Sequence, residues 1–528
     1  MQEFSVGTLD LGIVVFYLIF VVLLGLYFGS KHKGTEDYFL AGRNLTWPLI
    51  GFSLFASNMS SNSLVGLTGS GYQDGFSVFS YEWMAVFVLI IFAIFFLPFY
   101  LKNKVYTVPE FLERRFDYFT RGYASFIAIV LNVIVDVSAT LYAGGKAVQL
   151  IFPEYPLWGI VGVLAIIAGL YTVSGGLSAV VYTDAIQAVI LIFGSIIITW
   201  FAWDKSGGFE EVMKITDPSH FNIVKSTEDP GLPWPGLFGV LIIGFYFWGT
   251  NQYITQRTLA AKNVIQGQWG SMFAGFLKLS ILFIMIFPGA FARVLYPNVT
   301  DLDALYPTML FDLLPTGILG IVLAGFIAAL MSSIDSGLNS ISTLVTMDFV
   351  KKVKPDKSDK ELMKVGRWVT IIVMIIATAW APQIGSFDKL WDYLQIALSW
   401  FCPPIVALFV MGLFWKGATT KGAYAGIIVG SLVTIFVIMA DVGLEGKEWM
   451  PHFLYTATLH FAITAIAIVI GSIISEPDKS AQVLEGVVWS KAEYAVETEA
   501  LKKAPFYKNY RYQGIALVII VILILLYF

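Results

Sequence analysis

Apolar stretches of about 20 residues recur along the chain between short polar segments, each long enough to cross a hydrocarbon layer as a helix. They fall near 9–29, 46–70, 78–101, 122–150, 156–174, 179–203, 234–256, 269–296, 316–346, 366–384, 390–415, 420–440, 453–475 and 512–528. The pattern predicts an all-α polytopic membrane protein with about 14 transmembrane helices. Two stretches are interrupted. Residues 51–75, GFSLFASNMSSNSLVGLTGSGYQDG, break midway into Ser, Asn, Thr and Gly, and five spans later WPGLFGVLIIGFYFWGTNQYITQRTLAAK breaks into Gly, Thr, Asn and Gln. Unpaired backbone groups are costly in hydrocarbon, so unwound backbone at membrane depth must face protein or a water-filled cavity. Corresponding breaks in two five-helix units are the sequence sign of an inverted repeat with a binding site at the midplane. Freed carbonyls beside Ser and Asn side chains are hard oxygen ligands, and residues 55–63 read as half of a site for a cation and a solute.

Composition agrees. Of 528 residues, 57% are hydrophobic, 16% aromatic and 13% charged, which excludes an ordinary soluble domain. The single cysteine, Cys402, excludes an intramolecular disulfide and a multi-Cys metal site, and His32, His220, His452 and His460 show no metal-ligand spacing. A formal charge of −4 is too small to argue for a nucleic-acid partner. Charge placement is more informative: loops after alternate spans hold about 25 Lys and Arg, against about 7 on the other side. That bias puts KKVKPDKSDKELMK (351–364) in the cytoplasm and both termini outside, the charge runs acting as topology determinants. The first span lacks a basic n-region and an A-x-A-like site, and reads as a mature helix. Residues 204–233, rich in Asp, Glu, Lys and Pro, read as an external solvated connector.

Ionisable residues inside spans need partners. Glu82, in SYEWM, either snorkels outward or holds substrate hydroxyls. Asp136, in LNVIVDVSATLYAGG, has no basic residue for several turns either side and needs a hydroxyl, a cation or a proton. Asp184 follows a Gly-rich turn in YTVSGGLSAVVYTDAIQAV, without a local Lys or Arg; it either favours a helix start or attracts a cation. Lys278 either snorkels or faces Glu82 and the substrate. In GFIAALMSSIDSGLNSISTLVTMDF, Ser332, Asp335 and Ser336 share one face, a pattern that suits cation ligation as well as interhelical hydrogen bonding. Gln395 lies one turn from Trp391. The cluster Phe245, Tyr246, Phe247 and Trp248 packs, or supplies a flat wall for a sugar. The last three spans read as scaffold.

These residues resemble those of the sodium/solute symporters, specifically the sodium–glucose cotransporter type with its bacterial galactose-transporting members. The resemblance rests on TEDYFLAGR (35–43), FASNMS (55–60), GSGYQDG with SYEWM, YTVPEFLERRF (106–116), GGLSAVVYTDAIQ (175–187), YFWGTNQYITQRTLAAK (246–262), FLKL (276–279), MSSIDSGLNS with TLVTMDF, and GLFWK (412–416). It implies a leucine-transporter-type five-plus-five inverted repeat working by alternating access, with repeats at 46–230 and 231–418, an extra N-terminal helix and loop at 1–45, and scaffold helices at 419–528. It implies a sodium site from the carbonyls of Ala56, Met59 and Ala329 and the hydroxyls of Ser332 and Ser333, and a second cation position at Asp184, Asp335 and Ser336. Asn58, Glu82, Lys278 and Gln395 would hold substrate hydroxyls, beside Ser63 and Trp248; Phe247 would form the inner gate, and Leu67, Tyr81 and Trp391 the outer one. The chain departs from the galactose carriers at Ser63, where they carry Gln or His, at Gly244, at Phe247 where a Tyr hydroxyl is lost, and at Asp136 in place of an uncharged residue.

The expected protein is therefore a sodium-coupled symporter of a neutral sugar or cyclitol in a plasma or bacterial inner membrane, its partners being the solute, sodium and the bilayer. A symporter of an acidic sugar, amino acid or vitamin is the alternative, against which stands the lack of an unpaired Arg within the spans. A membrane-embedded enzyme would need a nucleophile with its base or a metal triad, and a channel a repeated filter motif; the sequence offers neither.

Overall fold

Long apolar runs satisfy their own backbone in a membrane only as helices, and the described residues are helical, with two isolated bridges as their only β pairing. The computed structural model describes residues 6–29, 34–443 and 450–528, the side chains of 25, 26, 28, 29, 170–176, 442, 443 and 481–483 excepted. The chain begins with α1 (Thr8–Gly29) and continues into the interrupted pair α2 (Trp47–Asn58) and α3 (Ser61–Gln73). Next come α4 (Gly75–Lys102), α5 (Tyr118–Gln149), a shorter apolar helix Leu157–Gly169, and α6 (Leu177–Ser206). The second interrupted pair is α7 (Leu237–Phe245) and α8 (Gln252–Leu259). Behind it stand α9 (Val264–Leu295), α10 (Ile318–Val353), α11 (Asp359–Ser386), α12 (Leu390–Phe414), α13 (Thr420–Asp441), α14 (Phe453–Ile473) and α15 (Tyr510–Tyr527). Ten helices among the described residues, α4 to α6 and α9 to α15, are long and apolar enough to cross a membrane. The expected figure of about fourteen also counted α1, the two interrupted pairs and the stretch beginning at Leu157, whose described apolar segments include Thr8–Leu24, Leu157–Gly169 and Trp234–Thr250. The Gly-rich turn expected near 171–176 lies outside the described side chains.

The two interrupted pairs meet directly. Leu45, leading into α2, pairs with Ala261 just after α8: its N–H donates to the Ala260 carbonyl at 3.1 Å and its carbonyl accepts from Lys262 at 2.9 Å. Arg43 ties the same corner by donating to the carbonyls of Leu259 (3.1 Å), Lys104 (2.9 Å) and Val105 (2.9 Å). Breaks elsewhere are also covered by neighbours. Pro404, inside α12, has no N–H for the Trp400 carbonyl, and Thr434 of α13 donates to that carbonyl instead at 3.0 Å. The scaffold reading of the last spans has a packing basis in Gly422 and Gly426, where a Cβ would lie 1.9 Å from Ser472 Oγ and 2.5 Å from Ile468 Cγ1, so α13 and α14 touch backbone to backbone.

Residues 204–233 are exposed over most of their length, as their polarity predicts, and also cap the helices beneath them. Phe209 and Phe221 pack on Phe76, with ring centroids 6.5 and 5.3 Å away. His220 is buried, 3.3 Å from the Gly71 carbonyl, and a Cβ at Gly75 (φ +76°) would meet the His220 carbonyl at 2.1 Å. Burial, aided by the Arg293 charge, pushes the His220 pKa down to about 4. The folded protein keeps this ring neutral while the unfolded chain protonates it near pH 6.5, so its contribution to stability is lost progressively as pH falls from about 6.5 towards 4. His220→Gln should therefore flatten the melting-temperature profile between pH 7.5 and 5 relative to wild type in detergent; parallel profiles would show that His220 is not held neutral.

Candidate functional site

The site begins at the α2–α3 break. Asn58 ends α2, Met59 turns out of the helix (φ −85°, ψ 72°), and Ser60 is extended (φ −88°, ψ 175°) before α3 restarts. Helix ends leave carbonyls without intrahelical partners, and most are claimed here. Met59 N–H donates to the Phe55 carbonyl at 2.8 Å, Tyr253 Oη to the Ser57 carbonyl at 2.5 Å, and Ser63 Oγ to the Asn58 carbonyl at 2.8 Å. The carbonyls of Ala56 and Met59 receive no donor among the described residues. Those are the two break carbonyls that the family resemblance assigns to sodium. Across from them Ser333 Oγ lies 3.4 Å from the Ser57 carbonyl, close enough to join an oxygen cluster while making only a weak hydrogen bond. A small hard ion suits such neutral oxygens.

A cavity adjoins the break, lined from α2 and α3 by Asn58, Asn62 and Ser63, from α4 by Tyr81 and Glu82, from α9 by Lys278, and from α12 by Trp391 and Gln395. Lys278 (1% exposed) ion-pairs with Glu82 and donates to Asn58 Oδ1, and its ammonium sits 5.3 Å from the Trp248 ring centroid. The snorkelling alternatives for Glu82 and Lys278 are thereby excluded, because both are buried and paired. Gln395 Oε1 and Trp391 Nε1, also buried, have no hydrogen-bond partner among the described residues. Tyr81 and Trp391 meet edge to face at 5.4 Å on one side. Phe247 closes another, 5.5 Å from Trp248 and 6.1 Å from Tyr253.

Three expectations change. Leu67 is fully buried and does not line the cavity; the α3 restart turns Gly66 to Trp391, where a Cβ would lie 3.1 Å from the ring. Ser332 Oγ is engaged with a carboxylate, donating to Asp184 Oδ1. The set Asp184, Asp335 and Ser336 already has a cation in it. Arg257, wholly buried, pairs with Asp184 at 3.2 Å and donates to Ser336 Oγ, while Ser53 (2.5 Å) and Ser57 (3.2 Å) donate to the same carboxylate. Asp184 thus has the basic partner its own segment lacks, brought from the end of α8. Asp335 is buried beside Ser336 in α10.

Several functional positions escaped the sequence reading. Tyr253 and Arg257 both sit in the quoted motif YFWGTNQYITQRTLAAK, yet only the fold shows them reaching α2. Asn251 Oδ1 starts α8 by accepting from Tyr253 N–H at 3.0 Å, which sets the direction of that helix. Asp136 and the Phe247–Trp248 pair lie on π-helical turns, Asn132–Val137 and Tyr246–Thr250, a widening that recurs at functional sites.

Comparison with known proteins agrees with this geometry. Residues 38–430 match the sodium:solute symporter family. The sodium/glucose cotransporter of Vibrio parahaemolyticus is 36% identical over 498 residues, covering 88% of this chain and 91% of that protein. The sodium/myo-inositol cotransporter 2 of Oryctolagus cuniculus is 35% identical over 537 residues, covering 91% and 78%. Among solved structures, a Na+-coupled sialic acid symporter in a substrate-bound outward-open state superposes with a TM-score of 0.79 at 24% identity, covering 90% of this chain and 99% of that one. Mhp1, a nucleobase-cation-symport-1 transporter, superposes with a TM-score of 0.56 at 11% identity, covering 89% and 99%. These structural likenesses are of fold, the leucine-transporter type that the family resemblance implies.

The Asp184–Arg257 pair makes a direct prediction. Arg257→Gln leaves a buried carboxylate without its charge partner and should cost about 3–5 kcal/mol of stability. Adding Asp184→Asn should restore more than half of that loss in unfolding measurements. A single Arg257→Gln variant as stable as wild type would mean that the two groups do not depend on each other.

Proposed function

The chain belongs to the sodium:solute symporter family, and we propose that it uses an inward sodium gradient to import a sugar or cyclitol through the cavity beside the α2–α3 break. It is an integral, multi-pass membrane protein, and its relatives are transporters rather than enzymes. The observation that carries the reading is the wall formed by Asn58, Glu82 and Lys278, whose middle member of the break is at once a ligand to the ammonium and the residue before the donor-free Met59 carbonyl.

In this reading sodium binds to the carbonyls of Ala56, Met59 and Ala329 and the hydroxyl of Ser333, with Ser332 joining when its bond to Asp184 opens. The ion stiffens the break and so fixes Asn58 and Ser63 for the solute. Glu82, Lys278, Asn58 and Gln395 present acceptors and donors to several hydroxyls, and Trp248 provides an apolar face. Tyr81 and Trp391 close the outer side, and Phe247 moves for inward release. The guanidinium of Arg257 holds the place of a second cation, which favours one sodium per cycle. The two repeats are 46–230 and 231–418, with 1–45 and 419–528 as additions, and the Lys-rich segment 351–364 faces the cytoplasm with both termini outside, in a plasma or bacterial inner membrane. The single cationic group on the cavity wall is already paired, which disfavours an acidic substrate despite the sialic acid symporter's shared fold.

Purified protein in proteoliposomes with an inward sodium gradient should accumulate labelled glucose, galactose or myo-inositol above equilibrium, and lose that accumulation when potassium replaces sodium. Equal uptake in both salts would sink the coupling. Ser333→Ala should raise the sodium concentration for half-maximal uptake with little effect on sugar half-saturation. Glu82→Gln and Gln395→Ala should raise the sugar concentration for half-maximal uptake about tenfold, the worth of one hydrogen bond to a buried polar group; wild-type sugar kinetics in both would remove them from the site.

A further inference from the structure

The cavity wall carries three charged side chains, Glu82, Lys278 and Asp136. Glu82 and Lys278 neutralise one another. Asp136 is left over: it is 7% exposed and makes no ion pair among the described residues, and its neighbours Asn251, Tyr246, Tyr253 and Cys402 are all neutral. The hydroxyls nearest in its helix are engaged with backbone. Thr140 Oγ1 donates to the Asp136 carbonyl at 2.7 Å, and Ser138 Oγ to the carbonyls of Val133 (2.7 Å) and Ala377 (3.2 Å). Two further buried polar atoms on the same wall, Gln395 Oε1 and Trp391 Nε1, have no partner either.

The cavity wall thus carries one carboxyl group within the membrane that no cationic side chain on that wall balances. A buried carboxylate without a counter-charge is costly, and where it occurs in a span it marks a ligand or ion path. A ligand bearing one positive charge relieves that cost, a neutral polyol leaves it, and a carboxylate ligand adds to it. We propose that Asp136 is the recognition site for an ammonium group, so that among sugars and cyclitols the preferred substrate is an amine-bearing one, such as a 2-amino-2-deoxyhexose. The ammonium donates to the Asp136 carboxylate, and the free Gln395 Oε1 accepts from another of the substrate's donors. Glu82 and Lys278 keep the role of holding neutral hydroxyls. This inference rests on the sugar-symport reading above and narrows it.

The test compares labelled glucose and glucosamine in sodium-driven uptake by proteoliposomes at about pH 6.5, where an amine of this kind is protonated. Half-saturation for glucosamine should lie at least about tenfold below that for glucose. N-acetylglucosamine, which has the same carbon at that position without the charge, should compete no better than glucose, and Asp136→Asn should erase the preference for the amine. The wild-type comparison decides the matter even if the variant does not fold. Sodium-driven glucose uptake without preference for glucosamine, or equal competition by N-acetylglucosamine, overturns the ammonium site and leaves sugar symport intact. No sodium-driven uptake of any of these sugars overturns both.

Discussion

A helix that unwinds inside a membrane must give every carbonyl it frees a partner, and the architecture follows from how the α2–α3 break meets that demand. Side chains from three other elements answer it: Tyr253 from α8, Ser63 from α3 and, at longer range, Ser333 from α10. Two carbonyls, those of Ala56 and Met59, are left without donors among the described residues. In hydrocarbon such oxygens are tolerable only where an ion or water supplies the missing contact, so the same geometry that is a liability for folding suits the proposed cation.

The break also explains why ion and solute would be coupled. Asn58 receives Lys278 on its side chain and Ser63 on its carbonyl, and it precedes the donor-free Met59 carbonyl by one residue. An ion that draws Met59 and Ala56 into a fixed arrangement necessarily fixes the Asn58 amide on the cavity wall. Behind the break, Ser53 and Ser57 of α2 are held by Asp184, which Arg257 anchors in turn. The α2 side of the unwound turn is therefore anchored by a buried ion pair.

Much of this was legible in the sequence, and the exceptions have physical reasons. The break was visible because Ser, Asn and Gly interrupt an apolar run, and the Glu82–Lys278 pair because lone charges in spans need partners. Arg257 was not paired with Asp184, since 73 residues separate them and nothing local to Asp184 announces a partner on α8. Leu67 was misplaced because unwinding at Met59 and Ser60 resets the helical phase, so that Ser63 lines the cavity and Gly66 faces Trp391 while Leu67 is buried. The π turn at Asn132–Val137 similarly defeats a regular helical count around Asp136. The cap at 204–233 was hidden by polar residues whose backbone still delivers Phe209, His220 and Phe221 to a buried surface.

The central claim is that sodium at the break and solute in the cavity share the Ser57–Met59 segment and hence a coupling free energy of roughly 1–3 kcal/mol. The most direct measurement is sodium affinity of the purified protein by equilibrium binding of labelled sodium, without sugar and with a saturating transported sugar. The account predicts that sugar tightens sodium binding by about fivefold to a hundredfold, and that sodium tightens sugar binding by the same factor. Sodium affinity unchanged by a sugar that demonstrably binds would contradict it.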